Sequence, residues 1–283
     1  VRTSIPVVVV SSDPNDLPYC HLRTDDTRAG YVAIRHLLDL GRRRIAIVGS
    51  GVYADAAMLP PPAALSDRVA GAGAALREVG ISGDRVPILL VPNTLEGGRL
   101  AGAALLESGE SLPDGIFATT DAVAFGLLEV LRARGLRVPE DTAVVGHDDL
   151  FASSLVAPSL TTIAPPRMAM GRACIELLLR AEAGEALPPL AMLEAALMVR
   201  ESTIGAGPAA RRGFSTNLSD PQSWRGWREQ MAQTELTAAP PQPVSRLTLD
   251  AFLTGKEVIH SDPLASWSSP GRAASSCHRR HGT

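Results

Sequence analysis

Short apolar runs alternate with helix-length segments from residue 4 to residue 204. Runs such as residues 5–10 and 86–91 are typical of strands buried within a sheet. Helix-length stretches lie between them, such as residues 25–40 and 66–80, each ending at Gly. The first is predicted to be capped by Asp25 or Asp26, and the second by Ser66 or Asp67. This alternation predicts an α/β fold in which doubly wound parallel sheets are joined by right-handed crossovers.

Two adjacent carboxylates follow one of these strands directly. Residues 142–145 predict a short inner strand, which places His147, Asp148 and Asp149 at its carboxyl end. Open α/β sheets bind ligands at that edge. Paired carboxylates can act as general acid and base or bind a metal, although no nucleophile or second tuned group accompanies them. A carboxylate can instead accept hydrogen bonds from the hydroxyl groups of a ligand.

Composition excludes several classes of protein. The chain is 45% apolar and 20% charged, as in ordinary globular proteins. Its longest apolar runs are far shorter than the ~20 residues that span a bilayer, and the amino terminus does not resemble a signal peptide. Three separated cysteines without CxxC spacing predict no disulfide framework and no zinc site, so we expect a cytoplasmic protein. Acidic residues outnumber basic ones by 30 to 27, and no basic face for nucleic acid is evident.

The character of the sequence changes after residue 205. Residues 206–283 hold every Trp and the only Lys, Lys256, with several Pro and Ser and no sustained periodicity. Residues 246–253 could be locally helical. We expect residues 206–283 to be a low-order C-terminal extension.

Five sequence blocks carry a resemblance to a known family. They are HLLDLGRRRIAIVGS (36–50), DRVAGAGAALREVG (67–80), PDGIFATTDAVAFGLLEVLRARGLRVPEDTAVVGHDD (113–149), PSLTTI (158–163) and VRESTIG (199–205). In this order they resemble the effector-binding domain of the lactose-repressor (LacI/GalR) family of bacterial transcriptional regulators. The resemblance covers about residues 4–205.

The resemblance implies a periplasmic-binding-protein-like (type I) fold with two α/β subdomains joined by three crossovers. Residues 1–21 would be a remnant strand of the first subdomain, and residues 162–192 a crossover and helix of the same subdomain. Residues 22–161 and the last strand, within residues 193–205, would form a complete second subdomain. Intact members begin with a DNA-binding helix-turn-helix, which this sequence lacks, so we expect an N-terminally truncated chain.

The resemblance also implies the ligand-binding residues. Asp148 and Arg68 would grip the effector, since the planar guanidinium of Arg68 suits a carboxylate, a phosphate or a vicinal diol. Asn93 and Thr120 occupy further contact positions, although Asn93 is nearly as consistent with a plain turn. Ser11 stands where relatives commonly place an aspartate.

Two neighbouring aspartates are expected to have structural roles. Asp149 is expected to act as a cap or turn contact, and Asp121 as the N-cap of the helix that follows it. His147 stands where relatives often carry an aromatic residue.

The sequence therefore predicts a sensor domain that binds a small sugar-like effector, with no catalytic residues, metal site or cofactor and no membrane partner. DNA would be contacted only through the missing helix-turn-helix, and intact relatives form homodimers. A periplasmic-type solute-binding protein is the alternative. An enzyme is disfavoured because no nucleophile, base and orienting group can be assembled.

Overall fold

The fold is described from a computed structural model, which covers residues 5–10, 18–51, 53–54, 57–58, 61–206, 244–255 and 259–260. Ser11 lies outside these ranges, as does most of the predicted C-terminal extension. Within them, no helix is long and apolar enough to cross a membrane.

Strands and helices alternate through most of the chain. The strands are β1 (Val8–Val10), β2 (Cys20–Thr24), β3 (Ile45–Gly51), β4 (Tyr53–Ala54), β5 (Ala57–Met58), β6 (Pro87–Pro92), β7 (Gly115–Ala118), β8 (Ala143–His147), β9 (Thr161–Ala164), β10 (Leu190–Leu193), β11 (Ala196–Met198), β12 (Ser245–Thr248) and β13 (Ile259–His260). The helices are α1 (Asp26–Asp39), α2 (Ala63–Glu78), α3 (Leu95–Glu107), α4 (Asp121–Ala133), α5 (Arg167–Glu182), α6 (Glu201–Ile204) and α7 (Leu249–Thr254).

The main sheet has eight strands in the order β11-β9-β8-β7-β3-β6-β12-β13. Its central strands, from β9 to β6, are parallel to their neighbours. β11 and β12 flank them in the antiparallel direction. The central parallel strands therefore end at a single edge, which we call the carboxyl edge.

Helices cover both faces of the main sheet. Ile47 and Val145 pack in the cluster of α1 and α2, whereas the adjacent Val48 and Val144 pack in the cluster of α3 and α4. Successive strand side chains point to opposite faces, so strands covered on both sides are apolar throughout. This is why the strand signal in the sequence is a continuous apolar run.

A smaller parallel sheet contains β1, β2 and β10 in the order β1-β2-β10. Cys20 and Leu22 of β2 form its core with Leu177 of α5. The sequence predicts only a single strand in this region, and the family resemblance assigns residues 22–24 and 193 to the larger unit. Alternation of polar and apolar residues in β2 gives no continuous apolar run, which explains why the sequence does not reveal this strand.

Two helix starts can be compared with their predicted caps. Asp25 caps α1, because its side chain accepts a hydrogen bond from the backbone N–H of Arg28 at 2.8 Å. The start predicted for the next helix, at Ser66 or Asp67, is wrong. α2 begins three residues before Ser66, directly after Pro62. Asp67 instead forms an ion pair with Arg23.

Residues 244–255 correct the expectation of a low-order extension for that stretch. β12 pairs antiparallel with β6, with Ser245 opposite Leu90. Val244, Leu247 and Leu249 are buried against the main sheet and its helices. The apolar side chains of this short segment bury surface that its composition alone does not reveal.

Candidate functional site

A row of polar side chains lies along the carboxyl edge of the main sheet. The row runs from β6 to β8 and includes residues of two adjacent helices. Its side chains are those of Asn93, Thr120, Arg68, Asp26, His147 and Asp148, and Thr119 contributes its backbone carbonyl oxygen. Parallel strands end at the same edge, which brings together residues far apart in sequence. Four predicted ligand-binding residues are therefore in one row: Asp148, Arg68, Asn93 and Thr120.

An ion pair stands at the centre of the row. The Nε of Arg68 donates to Oδ1 of Asp26 at 2.7 Å. Its Nη1 donates to the carbonyl oxygen of Thr119, also at 2.7 Å. The Arg68 side chain is 11% exposed and that of Asp26 is fully buried. A charge buried in this way requires a partner, and each of these two charges compensates the other.

Two glycines bring the ion pair together. A Cβ on Gly30 of α1 would lie 1.9 Å from the carbonyl oxygen of Arg68. A Cβ on Gly71 of α2 would lie 1.8 Å from the carbonyl oxygen of Thr27. Both distances are far below van der Waals contact, so the two helix backbones touch where only glycine fits. This close crossing places Arg68 beside the first turn of α1, where Asp26 lies.

His147 connects the ion pair to Asp148. Its Nδ1 lies 3.0 Å from Oδ1 of Asp148, and its Nε2 lies 3.8 Å from Oδ1 of Asp26. Burial lowers the pKa of the His147 imidazole, so the ring is neutral near neutral pH. Its Nε2 and the Oδ2 of Asp26 are buried without a hydrogen-bond partner among the described residues. Buried polar atoms are rarely unsatisfied, and such exceptions often occur at functional sites.

Asp148 presents its carboxylate from an unusual backbone conformation. Its φ is 121°, and that of Asp149 is 48°, both in the range that favours glycine. The N–H of Asp148 donates to the carbonyl oxygen of Ile163 at 2.9 Å, and Arg167 donates to the Asp148 carbonyl oxygen. These bonds hold the strained turn. The Asp148 side chain is 30% exposed, so its carboxylate is open to a ligand.

Asp149 is directed to a different partner. Its Oδ1 accepts from Nη2 of Arg200 at 2.6 Å, and its backbone N–H donates to Oγ1 of Thr162 at 3.3 Å. Arg200 also donates to the carbonyl oxygen of Leu160. The contacts of Asp149 therefore anchor the turn, whereas Asp148 remains at the edge.

Asp121 is not the N-cap that the sequence predicts. Thr120 occupies that position, and Asp121 is the first residue of α4. The buried carboxylate of Asp121 accepts hydrogen bonds from Ser153, Thr162 and the N–H of Leu150. Burial outweighs these bonds and raises the pKa of Asp121 to about 6. Asp121 therefore supports the turn after β8, a role that depends on contacts made by tertiary folding.

Asn93 and Thr120 form the other end of the row. Oγ1 of Thr120 donates to Oδ1 of Asn93 at 2.7 Å. Asn93 is exposed and Thr120 is buried. Thr94 caps α3 by accepting from the N–H of Gly97. The Asn93 amide is consequently the accessible polar group at this end.

Sequence reasoning missed two residues of the row, Asp26 and Thr119. The sequence predicts Asp26 only as an alternative helix cap, although a second aspartate beside Asp25 leaves one carboxylate without a capping role. Thr119 contributes its carbonyl oxygen to Arg68, a contact that carries no signal in the sequence. Ser11, the fifth predicted ligand residue, lies outside the described residues.

Comparison with known proteins identifies the family. A family model described as a periplasmic binding protein-like domain matches residues 34–203, more than half of the 283-residue chain. A crystal structure of a LacI family transcriptional regulator from Enterococcus faecium, with bound ribose, is 33% identical, and the match covers 70% of each chain with a TM-score of 0.62. The chain belongs to the LacI family of transcriptional regulators. The resemblance and the α/β fold inferred from the sequence are both confirmed.

Other LacI-family relatives are identical to this chain to a similar degree. A regulator from Arthrobacter sp. FB24 in complex with lactose is 33% identical, with a TM-score of 0.60 and coverage of 70% of this chain and 71% of that one. The transcriptional regulator DegA of Bacillus subtilis is 34% identical over 168 residues, which are 59% of this chain and 47% of DegA. This LacI-family chain thus spans about half the length of the curated relatives it matches.

Proposed function

We propose that this chain is the effector-binding part of a LacI-type regulator. A small sugar-like ligand binds at the carboxyl edge of the main sheet, against Arg68, Asn93, Thr120 and Asp148. Binding controls the affinity of a helix-turn-helix segment for DNA. The names of relatives, such as the HTH-type regulator DegA, support the DNA-binding part of this proposal.

The row of polar groups at the carboxyl edge carries the proposal. Asp148 supplies an exposed carboxylate, Asn93 an exposed amide and Arg68 a partly accessible guanidinium. A carboxylate accepts hydrogen bonds from hydroxyl groups, and a guanidinium donates in a planar fork. Vicinal hydroxyl groups on a sugar complement both kinds of group.

The bound sugars of relatives support the same ligand class. Ribose is bound by the regulator from Enterococcus faecium, and lactose by the one from Arthrobacter. These relatives are transcription regulators rather than enzymes or exported solute-binding proteins, which favours a cytoplasmic, non-enzymatic sensor over the periplasmic alternative.

Signalling requires two conformations with different affinities for the ligand. The proposed mobile unit is the first subdomain, containing β1, β2, β10 and α5, which would close over the row on the main sheet. Homodimerisation, implied by the family, would carry this closure to a pair of DNA-binding segments.

Ligand-dependent stabilisation tests the proposal. We expect D-ribose or lactose to raise the free energy of unfolding of the full chain, by about 2.7 kcal/mol at a concentration of about 100 times the Kd. Asp148→Asn should abolish this gain, and Asn93→Ala should reduce it. Differential scanning fluorimetry and isothermal titration calorimetry would provide the measurements.

Asp141→Asn is the matched control. Asp141 is a surface carboxylate paired with Arg137, away from the carboxyl edge. The control should retain the full ligand effect. Equal stabilisation of Asp148→Asn and the wild-type chain, or no stabilisation by any sugar tested, would contradict the proposal.

A further inference from the structure

The charge of the proposed site depends on Asp26. Its side chain is fully buried and contacts Nε of Arg68 at 2.7 Å. Interactions between charges are strong where water is excluded, so the carboxylate offsets the positive charge of the guanidinium. Two of the five N–H groups of Arg68 donate to Asp26 and Thr119. Arg68 can therefore donate further hydrogen bonds without offering an uncompensated charge.

The neighbouring charges do not restore a cationic site. Asp148 adds a partly exposed carboxylate. Arg200 is paired with Asp149 at 2.6 Å. Arg167 donates to the carbonyl oxygen of Asp148, but its side chain is exposed and its charge is screened by water. Among the described residues, an anionic ligand at this edge would thus meet two carboxylates, Asp26 and Asp148, and no buried, unpaired cation.

We propose that Asp26 is a specificity-determining residue that makes the carboxyl edge select uncharged polyhydroxyl ligands over phosphorylated or carboxylated ones. The inference rests on the proposed function and adds the charge class of the ligand. A diol accepts hydrogen bonds from Arg68 and donates to Asp148 without adding charge. A phosphate group requires a cation whose charge is not already compensated, and Asp26 compensates the charge of Arg68.

Replacing the buried carboxylate by its neutral isostere tests this role. Asp26→Asn keeps an oxygen that can accept from Arg68 but leaves the guanidinium charge uncompensated. We expect this variant to bind inorganic phosphate at least ~10-fold more tightly than the wild-type chain, the size of one charge-assisted hydrogen bond. Phosphate titration followed by calorimetry would measure the change.

Two further variants test whether the gain in phosphate affinity arises from the pair of Asp26 and Arg68. Asp26→Asn combined with Arg68→Gln removes both charges and should lose the gain in phosphate affinity. Glu129→Gln is the matched control, because it removes a carboxylate paired with Arg99 on α3, outside the row. It should leave phosphate affinity unchanged. An unchanged affinity in Asp26→Asn, or an equal gain in Glu129→Gln, would overturn the inference.

The wild-type chain provides a test that does not depend on variant folding. D-ribose should bind at least ~10-fold more tightly than D-ribose 5-phosphate, because the phosphate finds no uncompensated cation. Equal or tighter binding of the phosphate ester would overturn the role of Asp26. If the wild-type chain bound no neutral sugar, the proposed function would fail, whereas the phosphate titration of Asp26→Asn would still decide whether Asp26 suppresses anion binding.

Discussion

The main sheet has a carboxyl edge and an opposite edge, at which the central parallel strands begin and which we call the amino edge. Both edges carry arginines, but these arginines have different surroundings. At the amino edge, Arg43 donates to the carbonyl oxygen of Leu38 at the end of α1, and Arg44 lies 3.5 Å from the Asp114 carboxylate. At the carboxyl edge, Arg68 is paired inside the protein with Asp26. Arginine near a helix C-terminus balances the exposed carbonyl groups there. The amino-edge cations therefore have a structural explanation.

Cavity volume alone would select the amino edge and not the carboxyl edge. A cavity of about 740 Å³ lies at the amino edge and is lined by Arg43, Arg44, Arg85 and Arg246, among others. Arg246 is paired there with Glu110 at 2.6 Å. Buried polar atoms without a hydrogen-bond partner occur at both edges of the described part of the chain, on Asp26 and His147 at the carboxyl edge and on Arg42 and Thr142 at the amino edge. The carboxyl edge differs because the buried ion pair of Arg68 and Asp26 lies there together with the partly exposed carboxylate of Asp148.

The largest effect is expected from Arg68→Gln. It leaves the Asp26 carboxylate buried without its partner, which costs about 3–5 kcal/mol for a buried pair. Urea unfolding of the variant would measure this loss. Adding Asp26→Asn should restore much of the stability. A double variant whose loss equals the sum of the two single losses would show that the pair is not coupled.

Gly71→Ala should destabilise the chain by about 2–3 kcal/mol through overpacking. The added methyl group would lie 1.8 Å from the Thr27 carbonyl oxygen and would force α1 and α2 apart. Gly171→Ala is the control, since a Cβ there meets nothing within 4 Å. Equal stability of the two variants in urea unfolding would argue against the close helix crossing that supports the carboxyl edge.

Asp121 should make the stability of the turn after β8 depend on pH. Its pKa is raised from 3.8 to about 6, so the folded chain binds a proton that the unfolded chain has released. Its contribution to stability therefore falls as pH rises from about 4 to about 6, by at most about 1.4 kcal/mol per pH unit. Unfolding curves of wild type and Asp121→Asn across this window should differ in slope with that sign.

The pKa of Asp141 is shifted in the direction opposite to that of Asp121. Its hydrogen bonds with Arg137 lower the pKa of Asp141 from 3.8 to about 2, so its contribution is lost only as pH falls below about 4. Asp141→Asn should leave the slope between about 4 and about 6 unchanged. A parallel pH dependence for wild type and Asp121→Asn would contradict the assignment to Asp121.

Arg44→Gln at the amino edge should have the smallest effect. The Arg44 side chain is 59% exposed, and exposed ion pairs contribute about 0–1 kcal/mol. We expect a stability change within that range and an unchanged response to sugars. A large loss of sugar binding in this variant would remove the distinction between the two edges.

The periodicity of the sequence predicts helices and strands, but it does not predict which of their side chains are in contact. The predicted helix at residues 25–40 corresponds to α1 (Asp26–Asp39), because its apolar face repeats at helical spacing. The ion pair of Asp26 and Arg68 joins residues 42 positions apart, and no local pattern encodes it. The same holds for β12, whose partner β6 lies far along the chain. Local signals specify strands and helices, whereas the tertiary fold determines which polar groups meet.

Hydrogen–deuterium exchange with and without a bound sugar would test the central claim directly, using the sugar that stabilises the wild-type chain most. The proposed site predicts slower exchange at residues 93–94, 119–121 and 147–150 at the carboxyl edge. Exchange at residues 41–44 and 80–85 at the amino edge should not change. Protection centred on the amino edge, with none at residues 147–150, would contradict the assignment of the ligand site.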